Sequence, residues 1–482
     1  MSLKKKIIRA CTVSMSIDFV TGMLPDLMKK YEVVILSSPG PEMDEVKERY
    51  GVKTIAVPME RHISLRHDLV SLWRMIRVFR KEKPDMVHSM TPKAGLLCMM
   101  AGWLTRVPVR VHTFTGLVFP TSTGLKRRIL MLTDSITCWC ATHVTPEGEG
   151  VKADLRNHGI THKPLKILGY GNVMGVDMER FDPKRFNDNE NLWRVESGEW
   201  RDSSEVESIK NSSFKTQHSK LQTDSKLYTL NSKLGTDSKL YTLRSALPLC
   251  TFRSKNSKLK TFRFLFVGRI VRDKGINELM AAFQRLNEKY PETELVLVGA
   301  YEESLDPVSE ETKRIIQENP NIETPGSKYG DDLIRSYAEA DCFVFPSYRE
   351  GFPNTVLEAG AMGLPSIVTD INGSREIISL TPDPSPKGEG DEKGEGNSEL
   401  RTKNSQTDSK LYTLNSKLKT CMNGIIVPPR DEEALYAAME RMVTDEEMRE
   451  QMAANARPMI AQRFEQGFVR RCLYEFYEEI LP

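Results

Sequence analysis

Two stretches of the chain alternate short β-branched apolar runs with helix-spaced polar and apolar positions. From residue 6 to about 113 the runs IIRACTV, VVILSS, DMVHSM and VRVHTF are separated by helical patterns over Met23 to Lys30, Leu69 to Lys81 and Gly95 to Leu104. The alternation resumes at Phe264 with FLFVG, a helix over Ile276 to Lys289, ELVLVGA, a helix near Asp331 to Glu339, DCFVFPS, a helix over Asn354 to Met362, and PSIVTD. Strands and helices in alternation, joined by short connections, predict a parallel sheet covered on both faces. The expected fold class is α/β, with two doubly wound domains whose ligands belong at the carboxyl ends of the strands.

A different kind of sequence lies between and within these stretches. The octapeptide TDSKLYTL occurs at 223–230, 236–243 and 407–414, and NSKLKT closes both regions at 256–261 and 415–420. Copies so widely split cannot stack into a solenoid, which predicts two insertions, 184–261 and 380–420, carrying related repeats. The second opens with TPDPSPKGEGDEKGEG and contains no Val, Ile, Met, Phe or Trp. Such a tract buries too little apolar surface to offset the entropy of ordering it, so it is expected to be disordered. Setting the insertions aside leaves about 180 residues for each of two domains, an ordinary size. The expected organisation is an N-terminal acceptor-side domain over 1–183 and a C-terminal nucleotide-sugar domain over 262–455, interrupted by the second insertion. A closing helical segment, 456–482, is expected to pack back on the first domain.

Composition narrows the classes of function. In 482 residues, 68 Lys and Arg face 66 Asp and Glu, a formal charge of +2, so no global field argues for nucleic acid. A charged partner must be met locally. The N-terminal MSLKKKIIRACTV begins like a secretory signal, but Arg9 and Asp18 interrupt its apolar region, and a first strand is read instead. The most apolar run, Gly95 to Leu104, is about half a membrane span. Eight cysteines form no C-x-x-C pair; Cys138 and Cys140 read as core, and the thiols as reduced ones in a cytosolic protein.

Candidate chemistry concentrates in DCFVFPSYREGFPNTVLEAGAMGLP, Asp341 to Pro365. A strand ends near Ser347, a loop carries Glu350, Gly351, Phe352 and Pro353, and a helix begins about Asn354. Glycine allows close approach of a ligand, and the free N–H groups of a helix start favour an anion. Glu350 in the loop and Glu358 on the helix are spaced to grip two parts of an elongated ligand. In FLFVGRIVRDKGINEL, Arg269 follows the strand and Lys274 precedes Gly275 and a helix, so two cations beside a helix N-terminus suit a diphosphate. Taken singly, each of the four is equally well a solvated loop or helix charge.

The combination is more specific. E-GFPNTVL-E preceded by PS, VGR-x4-KG, GYGNVMGVDMERF at 169–181 and NGIIVPPRDEEAL at 423–435 together resemble the retaining glycosyltransferases of family 4. The resemblance covers nearly the whole chain outside the insertions. It implies the GT-B fold, two Rossmann-like domains facing a cleft, and a nucleotide sugar, UDP-linked by family habit, as donor with no cofactor. It implies that Glu358 binds the ribose hydroxyls and Glu350 the transferred sugar. Arg269 and Lys274 would stabilise the diphosphate, while Gly351, Phe352, Pro353 and Asn354 shape the sugar pocket. Base recognition is expected near Thr324 to Gly330. No Asp-x-Asp occurs, in keeping with catalysis that uses no metal, and retention would proceed by same-face attack.

In the first domain Gly22 is expected where a glycine loop approaches the diphosphate, or is merely a turn residue. His112, before Thr115 and Gly116 in VRVHTFTGL, is a catalytic candidate or a buried, hydrogen-bonded histidine; many relatives carry histidine where this chain has Thr115. His88 is a further candidate. Residues 61–83 hold seven Lys or Arg against Asp68 and Glu82, with Trp73 and Phe79 among the apolar positions. Such a stretch, joined by Lys126, Arg127 and Arg128, suits an anionic bilayer surface, or is a solvated helix whose apolar stripe packs on the sheet. HSMTPKAGLL and PVRVHTFTGLVFPT resemble family members that extend lipid-diphosphate-linked sugars for capsule or O-antigen. The expected activity is transfer of a hexose or N-acetylhexosamine to a lipid-linked or saccharide acceptor, in the cytoplasm or at the inner membrane face. An epimerase or phosphorylase on the same fold, and a non-catalytic binding or docking protein, are the rival readings.

Overall fold

The computed structural model describes residues 4–60, 64–187, 261–302, 306–378 and 417–481. Both predicted insertions fall almost wholly outside these residues, and the expectation that the second is unfolded lies outside them too. Residues up to Asp182 and those after the first insertion form one compact unit. Outside it, Lys184–Asn187 form a single helical turn.

Six parallel strands build the first sheet: β1 (Lys6–Ala10), β2 (Glu32–Ser37), β3 (Lys53–Ala56), β4 (Met86–Ser89), β5 (Val109–Phe114) and β6 (His143–Pro146), in the order β3-β2-β1-β4-β5-β6. The second contains β7 (Phe262–Val267), β8 (Thr293–Val298), β9 (Ile322–Gly326), β10 (Cys342–Phe345), β11 (Ser366–Thr369), β12 (Lys419–Thr420) and β13 (Gly424–Val427). Its order, β12-β13-β11-β10-β7-β8-β9, repeats the first sheet's winding with one added edge strand. Both therefore have the doubly wound dinucleotide-binding topology, with a switch point between β1 and β4 and between β7 and β10. One boundary is corrected. The second insertion was expected to run to Thr420, but Lys419 and Thr420 pair antiparallel with Ile426 and Ile425, so the end of the repeat supplies an edge strand.

Helices cover both faces of the first sheet. One face carries α1 (Asp18–Thr21), α2 (Leu24–Lys30) and α3 (Pro41–Tyr50); the other carries α4 (Leu65–Glu82), α5 (Pro92–Leu104) and α6 (Gly124–Cys140). α4 starts a turn before the predicted Leu69. Asp68 in its first turn accepts the Ser64 amide at 3.2 Å and pairs with Lys93 at 2.7 Å. α5 is apolar nearly all round because α4, α6 and the sheet enclose it. Among the described residues no helix is long and apolar enough to cross a membrane. After α7 (Glu149–Asn157) the second half adds α8 (Ile276–Lys289), α9 (Glu310–Glu318), α10 (Gly330–Ala338), α11 (Asn354–Ala361), α12 (Ser374–Ile377), α13 (Glu432–Thr444), α14 (Glu446–Phe464) and α15 (Gln466–Ile480).

The last two helices join the halves. α14 lies on α11, where a Cβ on Gly360 would press on Ile460. The chain then crosses at Glu465, held by Val176 N–H to the Phe464 carbonyl at 2.8 Å and Gln466 N–H to the Val176 carbonyl at 2.9 Å. α15 packs Leu473, Phe476 and Tyr477 into the first sheet's core. There the Tyr477 hydroxyl meets His88 Nδ1 at 2.5 Å, and His88 Nε2 meets Thr113 at 2.7 Å.

Candidate functional site

At the switch point of the second sheet the loops after β7 and β10 lie against each other. Gly275 makes this possible: its φ is 71°, and a Cβ there would overlap the Pro346 carbonyl. Tyr348 N–H donates to the Asp273 carbonyl at 2.9 Å and closes the pair of loops. This contact brings Lys274 onto Glu350 as an ion pair. Ser347 Oγ donates to the same carboxylate oxygen at 2.8 Å, and the ammonium stands 5.2 Å from the Phe345 ring centroid. Both side chains are largely covered, 14% and 18% exposed, so neither is a solvated loop charge. Arg269 remains half-exposed and pairs with Glu302.

Glu358, on α11, accepts a hydrogen bond from the Tyr337 hydroxyl of α10 at 2.8 Å. Burial lifts its carboxyl to about 7, against the opposing effects of Tyr337 and the Arg180 charge. Pro353 caps α11, and Asn354 just inside it accepts Asn172 Nδ2 at 2.8 Å. Asn172 has φ 60° and itself accepts the amides of Met174 at 2.9 Å and Gly175 at 2.6 Å. The GYGNVMG segment thus meets the start of α11 through one asparagine pair. In the stretch expected to meet a base, β9 ends at Gly326, Tyr329 is 78% exposed and α10 begins at Gly330.

Loops of the first sheet close over this region. Gly116 has φ 129°, and a Cβ on Gly351 would overlap the Thr115 carbonyl; two glycines let the two halves touch backbone to backbone. The Thr115 hydroxyl turns away to donate to the Met90 carbonyl at 2.8 Å. Phe352 lies under Gly171 and beside Phe464, 5.3 Å between ring centroids. A second clasp stands alongside. Glu376 of α12 accepts the Glu149 amide at 2.7 Å and the Gly150 amide at 3.0 Å, at the positive N-terminal end of α7, and Asn372 donates to Asp154 at 2.7 Å.

Three expected candidates, His112, His88 and Gly22, stand apart from the Lys274–Glu350 pair. His112 is 1% exposed, with Nδ1 2.9 Å from Ser89 Oγ, its ring edge-on to Phe114, and Gly95 of α5 packed against it. Burial lowers it to about 3. Its surroundings are those of the buried, hydrogen-bonded reading. His88 is likewise enclosed, and desolvation takes it well below its ordinary value. Gly22 has an ordinary helical φ of −54° between α1 and α2. Its neighbours are Asp18 and Arg470, not the cations of the second sheet. The cysteines predicted as core, Cys138 and Cys140, are buried, while Trp139 between them is 62% exposed.

One residue at the centre escaped the sequence reading. Glu147, just after β6, is 3% exposed and accepts the Val173 amide. Burial raises its carboxyl to about 8, reinforced by the charges of Glu376 and Glu350. Its place at the carboxyl end of a strand is the available signal. Tyr337 and Glu302 were likewise unseen, because each acts through a partner distant in sequence.

Comparison with known proteins agrees with this architecture. Residues 27–171 match the glycosyl transferase 4-like domain, and residues 251–381 match the glycosyl transferases group 1. The chain is 27% identical over 479 residues to the capsular polysaccharide biosynthesis glycosyltransferase CapM of Staphylococcus aureus, covering 99% of this chain and 98% of that one. It is 25% identical over 355 residues to an Escherichia coli UDP-Gal:alpha-D-GlcNAc-diphosphoundecaprenol alpha-1,3-galactosyltransferase, covering 72% and 73%. Among solved structures it shares the fold of Anabaena HepE in complex with UDP and glucose, with TM-score 0.62 at 13% identity over 98% of this chain and all of that one.

Proposed function

The chain belongs to the GT-B glycosyltransferases of the family-4 type, and on that premise we propose that it transfers a hexose or N-acetylhexosamine from a UDP-sugar, with retention of configuration and without a metal, to a lipid-linked or saccharide acceptor. The setting we infer is capsular or other cell-surface polysaccharide synthesis at the cytoplasmic side of the membrane. The observation that carries the reading is the covered Lys274–Glu350 pair at the switch point, with Glu358 on the adjoining helix.

Lys274 and Arg269 neutralise the diphosphate as negative charge grows on the leaving group. Fixed donors in a site that excludes water act there without reorganising, and loss of one commonly costs on the order of 100 to 1,000-fold in rate. Glu350 orients Lys274 and faces the sugar hydroxyls, and Glu358 takes the ribose. The leaving phosphate, held on the attacked face, takes the acceptor's proton. UDP as donor and a diphospholipid acceptor are supported by the E. coli relative, a UDP-Gal:alpha-D-GlcNAc-diphosphoundecaprenol galactosyltransferase. Purified protein given a panel of nucleotide sugars and lipid-linked acceptors, followed by mass spectrometry, tests this. A transferred hexose, lost by about 100-fold or more in Lys274→Ala, is expected; an unchanged rate in that variant rejects the site, and release of an isomerised free sugar without acceptor indicates an epimerase.

Peripheral contact with an anionic bilayer accompanies this reading. Leu65, Leu69 and Trp73 of α4 are at least 51% exposed, with Arg66, Arg74, Arg77, Arg80 and Lys81 on the same helix. Its other face, Met75, Phe79 and Glu82, packs inward, where Glu82 pairs with Lys6 and Lys53.

A further inference from the structure

Two arginines stand apart from the residues given roles above. Arg9, on β1, is 1% exposed. Its Nη2 lies 3.4 Å from the Phe19 carbonyl and 3.7 Å from the Met90 sulfur, while Nε and Nη1 are buried with no hydrogen-bond partner among the described residues. Arg470, on α15, also leaves a buried Nε without one. Both face one small pocket, lined besides by Asp18, Gly22, Met174 and Gln466. Asp18 is exposed and forms no ion pair with either arginine among the described residues.

A buried guanidinium with open N–H donors is costly, and folded proteins match such groups to a partner. Among the described residues Arg9 has no anion paired with it: its charge adds to the burial that lowers His88, and only partly opposes the burial that raises the Tyr477 hydroxyl. The space in front of Arg470 is open, since a Cβ on Gly22 would meet nothing nearer than its Nη2 at 3.9 Å. Two planar forks converging on one pocket match the oxygens of a phosphate group.

We propose that Arg9 and Arg470 form an anion subsite that takes a phosphate of the acceptor. This rests on the reading of the chain as a transferase to a phosphate-bearing, lipid-linked acceptor. The donor diphosphate already has its cations, Arg269 and Lys274, at the other sheet. The pocket nevertheless borders the donor loop, because the sulfur of Met174 in its wall accepts Asn354 Nδ2 at 3.1 Å. An acceptor phosphate held here stands next to the start of α11, beside the sugar pocket.

Inorganic pyrophosphate titrated calorimetrically into the full-length protein tests the subsite without transfer. Arg470→Gln is expected to weaken by about tenfold or more the component that Lys274→Ala leaves intact; an unchanged isotherm overturns the proposal. Kinetics then separate the sources of the phosphate. With a sugar-diphosphate-citronellol acceptor, Arg470→Gln is expected to raise acceptor KM, leave donor KM unchanged, and leave an uncharged alkyl glycoside acceptor unaffected. Arg9→Lys, which keeps the charge, is expected to fall between wild type and Arg470→Gln. A rise in donor KM assigns the pocket to the donor and overturns the proposal, as does an equal loss on both acceptors, the mark of a structural arginine. If wild type transfers to neither acceptor, the functional reading fails while the pyrophosphate titration still decides the subsite.

Discussion

Glu147 shows most clearly how burial sets the behaviour of a single side chain in this molecule. Its carboxyl is raised from an ordinary 4.5 to about 8, first by desolvation and then by Glu376 and Glu350. A group that holds its proton longer when folded contributes stability below pH 4.5 and loses that contribution as pH rises toward 8. Glu147→Gln does not titrate, so thermal melts should show wild type losing ground to the variant between pH 5 and 8, by on the order of a few kcal/mol. A difference between the two proteins that stays flat with pH would remove the buried-acid account. At this scale the sequence was readable only where residues were close along the chain. Glu350 and Lys274 sat in recognisable loops, yet their union as an ion pair depends on Gly275 meeting Pro346. Glu147 was invisible because the segments that bury it, around Gly171 and Phe352, come from elsewhere in the chain.

Elements were more legible than contacts. The helices over 276–289 and 354–362 were read to within a residue, since their apolar spacing and their glycine or proline boundaries agree. For His112 the strand position alone left a catalytic and a buried reading open, because it does not say which face a residue takes; Gly95 leaves the gap on α5 that admits its ring. α4 packs an inward stripe at Met75 and Phe79 on the sheet and leaves Leu65, Leu69 and Trp73 exposed on its outer face. Co-sedimentation with vesicles containing phosphatidylglycerol should therefore fall several-fold in a Leu69→Glu, Trp73→Glu double variant, with the circular dichroism spectrum unchanged, since apolar area and basic charge together set interfacial binding. Equal binding by wild type and variant would return α4 to an ordinary solvated helix.

For the whole molecule, two windings of one topology and a C-terminal helix that returns to the first sheet place the residues of both halves around one region. The strand-helix alternation announced the two sheets; it could not announce the clasp of Glu376 on α7, nor that the repeat sequence ends in the edge strand β12. Added length in a surface connection costs little, because loop-closure entropy grows only logarithmically. Deleting residues 188–258 or 380–416 should leave the transfer rate within about twofold, provided Lys419 and Thr420 stay to cover β13; loss of activity in a folded deletion variant would give the insertions a role. The central claim, retaining transfer from a UDP-sugar at the Lys274–Glu350 site, is tested most directly by nuclear magnetic resonance of the product made from a UDP-α-linked sugar. The account predicts an α-linked product formed by wild type and not by Lys274→Ala; a β-linked product, or one formed equally by the variant, would contradict it.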